Sequence, residues 1–133
     1  MGESGCTWRR EGAYCTIEIE RPGEGILVVR FSGTDIGELG GLPFAELGRK
    51  LSDEHPVELF IDARATRGVS LDVSEEWALW LRANRPRLTR VTMLPGSRLV
   101  HVTADFVQRF SGLYDRMRVT TDAAAFDRAL AEA

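Results

Sequence analysis

From Cys15 to Glu20 apolar and polar residues alternate, with Cys15, Ile17 and Ile19 on one side and Thr16, Glu18 and Glu20 on the other. This period-2 pattern predicts a β-strand with one wet face. The segment RPGEG at 21–25 interrupts it, and ILVVRF at 26–31 resumes as an almost continuously apolar strand. The two runs predict a hairpin whose second strand is the more buried. Thr34 to Gly41 is rich in glycine and acids and predicts a loop, after which Pro43 suits the first turn of a helix. Phe44, Leu47 and Leu51 recur at helical spacing along that segment, which ends near Asp53 to Pro56.

A third strand follows over Val57–Ile61, with Asp62 at its carboxyl end and Ala63–Leu71 as the next loop. Asp72, with Glu75 three residues on, has the spacing of a capping box and starts a helix with Val73, Trp77, Trp80 and Leu81 on one face. Asn84-Arg-Pro stops that helix, and Val91–Leu94 predicts the next strand. Leu99, Val102, Phe106 and Phe110 mark a third helix closed by Gly112. Met117–Thr120 reads as a last strand and Asp122 as the cap of a final helix with Phe126 and Leu130 facing inward. The order is ββαβαβαβα, an α/β fold in which a mixed sheet is covered by helices joined through crossovers. Residues 1–13 are polar and glycine-bearing and predict a loose arm that Trp8 could pin, ahead of a single domain over 14–133.

Composition narrows the class without naming a chemistry. A chain of 133 residues suits one core. No apolar run approaches the roughly 20 residues of a membrane-spanning helix, and the N-terminus lacks the apolar region of a signal peptide, so a cytoplasmic location is expected. The net charge of −3 gives no global attraction to nucleic acid, and the cluster Arg82, Arg85, Arg87 and Arg90 reads as a solvated helix terminus. Cys6 and Cys15 lack redox or zinc-knuckle spacing and are expected as free thiols; His55 and His101 lie far apart. No phosphate-binding loop, nucleophile elbow or metalloprotease motif occurs. Asp62, at a strand end, is the lone candidate acid, so no enzyme, metal site or cofactor is implied.

The element order, together with FSGTD at 31–35 and VELFIDARATRGVS leading into a helix, resembles the STAS (SpoIIAA-like) superfamily of anti-sigma factor antagonists. Gly33 and Asp35 match the family's apolar-x-Gly-Glu-x-Asp stretch, while Thr34 replaces its acid. The resemblance implies a non-enzymatic regulatory module that binds a protein partner. In that family the loop after the third strand reads Asp-Ser-[Ser/Thr]-Gly and carries a phosphorylated hydroxyl. Here no such motif occurs: the acceptor position falls near Leu71 or Asp72, flanked by Ser70 and Ser74. Ser70 and Ser74 are therefore the candidate phospho-acceptors, and each is equally readable as a cap or first-turn residue. Asp35, Arg64, Arg67 and Asp72 form the candidate partner surface. The looser sporulation-antagonist-like group shares its fold with Sec14-type lipid carriers, which implies an alternative: an apolar pocket lined by Trp77, Trp80, Phe106 and Phe110. These four serve helix-to-sheet packing equally well. Self-association as a homodimer is compatible with either function.

Overall fold

A computed structural model of the chain describes residues 7–133. Its six strands form a single sheet in sequence order, β1 (Thr7–Glu11), β2 (Cys15–Gly23), β3 (Ile26–Asp35), β4 (Val57–Val69), β5 (Leu88–Pro95) and β6 (Met117–Val119). The first three strands run antiparallel and the last four parallel, so the hairpin expected from the alternation at 15–20 feeds a parallel half-sheet. Helices α1 (Leu42–Lys50), α2 (Leu71–Ala83), α3 (Arg98–Ser111) and α4 (Ala123–Glu132) complete the fold, with a 3-10 turn at Arg85–Arg87.

Side-chain alternation along the strands divides the core in two. Ile17, Leu27, Val29, Leu59, Ile61 and Val91 point to the face covered by α1, α2 and α3. Val28, Phe60 and Leu94 point the other way, onto Phe126 of α4, whose ring meets Phe60 edge-on at 5.6 Å. Coverage on both faces is the reason that β3 opens as an almost continuously apolar run over Ile26–Phe31. On β2 the outward residues Thr16, Glu18 and Glu20 are half-exposed, and Arg9 of β1 pairs with Glu18 at 2.9 Å.

Several boundaries differ from those the sequence predicts. Thr7–Glu11, expected within a loose arm, pairs residue for residue with Thr16–Glu20, because a strand edge offers backbone partners whatever the side chains are. Trp8 packs against the main core; residues 1–6 of the arm, with Cys6, lie outside the described residues. The third predicted strand does not end at Asp62. It continues to Val69 as β4, pairing with Ser32–Asp35 through two register shifts, so most of the expected loop 63–71 is strand. Its polar residues hide this extension, since backbone pairing places no demand on the outward side chains.

The cap of α2 is Ser70 rather than Asp72: Ser70 is extended and its Oγ accepts the N–H of Val73 at 3.3 Å. Asp72 lies in the first turn, where its charge complements the helix dipole. On α3 the buried face is Val100, Ala104, Val107 and Ser111, while Leu99, Val102 and Phe110 are exposed and Phe106 is half-buried. Two stripes compete on this helix. The one with small residues wins the inside because it lets α3 approach the sheet closely.

Gly33 shows what the irregular end of β3 requires. Its φ is +86°, and a Cβ there would stand 2.2 Å from the carbonyl oxygen of Tyr14. Only glycine fits this close antiparallel crossing, which presents Asp35 at the strand end.

Candidate functional site

The site lies at the carboxyl ends of β3 and β4. There the backbone N–H of Ser70 donates to the carbonyl of Asp35 at 2.9 Å, joining the start of α2 to the loop that follows β3. The Asp35 side chain turns back on this loop, its Oδ1 accepting the N–H of Gly37 at 3.0 Å. Asp35 is only 6% exposed, and burial pushes its carboxyl above the usual range against the lowering effect of the Gly37 bond.

Glu38, from the same loop, accepts the N–H groups of Ala13, Tyr14 and Cys15 at 2.8–2.9 Å and thereby fastens the loop to the β1–β2 turn. These bonds, that from Tyr14 foremost, hold its carboxyl below the usual range. Cys15 is a free, buried thiol pushed up to about 12, chiefly by burial and then by the Asp35 charge.

The candidate residues separate into groups. Asp35, Ser70 and Asp72 come together at this end of the sheet, with Arg67 exposed on the final stretch of β4. Ile36 and Leu71 each stand one residue from the Asp35–Ser70 bond and are 54% and 64% exposed. Arg64 is drawn elsewhere: it pairs with Asp62 at 3.0 Å and with Asp127 of α4, and its guanidinium is held more firmly protonated by these carboxylates. Asp62 accordingly lies within β4 as an ion-pair partner, not at a strand's carboxyl end.

Ser74 is 4% exposed and its hydroxyl donates to the carbonyl of Ser70 at 2.9 Å, so it is a first-turn packing residue closed to solvent. Ser70 is half-buried.

The four aromatics do not share a pocket. Trp77 meets Phe31 and Phe44 edge-on at 5.5 and 4.8 Å, and Trp80 joins this cluster, whereas Phe106 and Phe110 stack on each other on α3. A cavity of about 40 Å³ beside Trp77 is the apolar space in this region, far below what an acyl chain needs. The arginines after α2 form ion pairs, Arg85 with Asp115, Arg87 with Asp53 and, at 3.9 Å, Arg90 with Glu58. His101 sits 3.3 Å from Asp105 on its own helix. Among the described residues no cluster of three or more metal-ligating side chains forms, and no helix is long and apolar enough to cross a membrane.

Sequence reasoning missed Glu38 and Thr66. Glu38 had a faint signal, an acid flanked by glycines that free the backbone to turn; Thr66 had none.

No protein-family model matches the sequence, and no curated protein matches it. Solved structures do share its fold. An uncharacterized protein of the DUF3478 family with a SpoIIAA-like fold, from Shewanella loihica, superposes with a TM-score of 0.59 at 17% identity, covering 91% of this chain and 98% of that one. The anti-sigma factor antagonist SpoIIAA in its unphosphorylated form gives 0.58 at 20% identity, covering 86% and 96%. The chain has a STAS-like, SpoIIAA-like α/β fold.

Proposed function

We propose that this chain is a non-enzymatic regulatory module that binds a protein partner through the carboxyl-end surface of β3 and β4. The Ser70–Asp35 backbone bond carries the proposal. It holds two exposed apolar side chains, Ile36 and Leu71, beside the charged groups Arg67 and Asp72, an apolar centre with a polar rim of the kind interfaces use. The likeness in fold to an anti-sigma factor antagonist supports the same class of activity. Arg64 is left out of the surface because Asp62 and Asp127 engage it. Ser70, rather than buried Ser74, is the position at which a phosphate would act, since its Oγ already sits at the N-terminus of α2. The free thiol of Cys15 fits a reducing, cytoplasmic setting.

Affinity capture with the full chain from an extract of its native host tests the proposal. A stoichiometric protein partner is expected, lost on Leu71→Asp and weakened on Asp72→Lys, but retained on Leu99→Asp, which alters exposed α3 instead. Binding indifferent to both changes at the α2 start would place the partner elsewhere and defeat the assignment.

A further inference from the structure

Behind that surface, where β3, β4 and β5 meet α2 and α3, lies the cavity of about 40 Å³. It lies towards the carboxyl end of the parallel strands, next to the N-terminus of α2. Aliphatic and aromatic side chains make most of its wall. The polar residues in the wall are Asp35, Thr66, Ser74 and Thr103; no arginine, lysine or histidine lines it.

Of these groups, Thr66 stands out. It is 5% exposed, and its Oγ1 finds no hydrogen-bond partner among the described residues. Ser74 is committed to the Ser70 carbonyl, Thr103 to the Leu99 carbonyl at 3.4 Å, and Asp35 Oδ1 to Gly37. Buried hydroxyls in native interiors are almost always paired, with protein or with ordered water, so an unpaired one in a cavity wall points to an occupant, water or a small ligand, that pairs with it.

Size and charge define the occupant. One water needs roughly 10–15 Å³ of such space, so the cavity of about 40 Å³ matches about three to four heavy atoms. An anion would meet Asp35 with no cation in the wall, and burying an unpaired charge among apolar side chains is prohibitive. A cation would find Asp35 as its lone charged partner in a wall that is otherwise apolar side chains and hydroxyls, too few oxygen ligands to replace its water shell. We propose that this cavity binds a small uncharged molecule with a short apolar body and one hydroxyl or carbonyl group that pairs with Thr66. Because Asp35 and Ser74 both line the cavity and both bond to Ser70, an occupant touches the residues that hold the start of α2. The site stands apart from the protein-binding proposal, and its test involves no partner.

The test is methyl-resolved NMR of the full chain titrated with 1-propanol, and separately with sodium acetate and ammonium chloride at matched ionic strength. Saturable shifts of the Ile61, Val69, Met93 and Val107 methyls are expected with 1-propanol alone. Thr66→Val should weaken propanol binding about tenfold, the loss of one ordinary hydrogen bond, while Thr66→Ser keeps it within about threefold. If Thr66→Val does not fold, Val107→Ile, which fills the space with one added carbon, should weaken propanol by a similar factor. Overturning results are an absence of saturable shifts, acetate or ammonium binding as tightly as propanol, or unchanged propanol affinity in the variants. A crystal grown with 1-propanol that shows only water against Thr66 would overturn it equally.

Discussion

Asp35 and Glu38 bracket the same glycine-bearing turn, yet their carboxyls are displaced in opposite directions. Glu38 is held down by three backbone N–H groups, so its contribution to stability is present above the unfolded carboxylate value and is lost as pH falls through its folded value. Asp35 is raised by burial, which makes ionisation in the fold unfavourable. That penalty is absent below the unfolded value, near pH 4, and grows as pH rises toward the folded one. Asp35→Asn keeps an oxygen for the Gly37 N–H and removes the penalty. Thermal melts should therefore show the variant more stable than wild type at pH 7, with the gap closing as pH approaches about 4. A gap that widens on acidification would mean that Asp35 is stabilised as an anion. The match of Gly33 and Asp35 to a family stretch was legible in the sequence. Glu38 was only faintly so, because its partners are backbone groups more than 20 residues away, brought close by the hairpin.

At the scale of elements, the two stripes of α3 offer the sharpest comparison. Val100 is fully buried and Val102 is 65% exposed, although both are valines in the first turns of one helix. Val100→Ala removes two buried carbons and should cost about 1.5–3 kcal/mol once the cavity left behind is counted. Val102→Ala should fall within about 0.5 kcal/mol of wild type. Urea unfolding of the two variants decides it; equal losses would mean that the outer stripe is also covered. Periodicity found the helix but not its inner face, since Leu99, Val102, Phe106 and Phe110 follow helical spacing as well as Val100, Ala104 and Val107 do. The larger residues misled because close packing on a sheet favours the smaller ones. The extension of β4 to Val69 escaped for a related reason: its outward residues are polar and its pairing is made by the backbone.

For the whole molecule, the layers are unequal. Three helices share one face of the sheet, while α4 covers the other through the small cluster of Val28, Phe60, Leu94 and Phe126 and through the Arg64–Asp127 pair. Phe126→Ala should cost about 3–5 kcal/mol and release α4. Hydrogen exchange would then show loss of protection along α4 (Ala123–Glu132) ahead of α2 and α3 on the opposite face; uniform loss would mean that the two layers unfold together. What the residues determined by themselves was the succession of strands and helices from β2 to α4, the nearly continuous apolar run that opens β3 and the caps at Asp122 and Gly112, because these depend on local periodicity and on backbone preferences of single residues. Tertiary structure alone decided how far β4 runs, which stripe of α3 turns inward, that Arg64 leaves the candidate surface for Asp127, and that Thr66 is buried without a partner. Each depends on groups distant in sequence competing for the same space or the same hydrogen bond, and only the assembled sheet settles that competition.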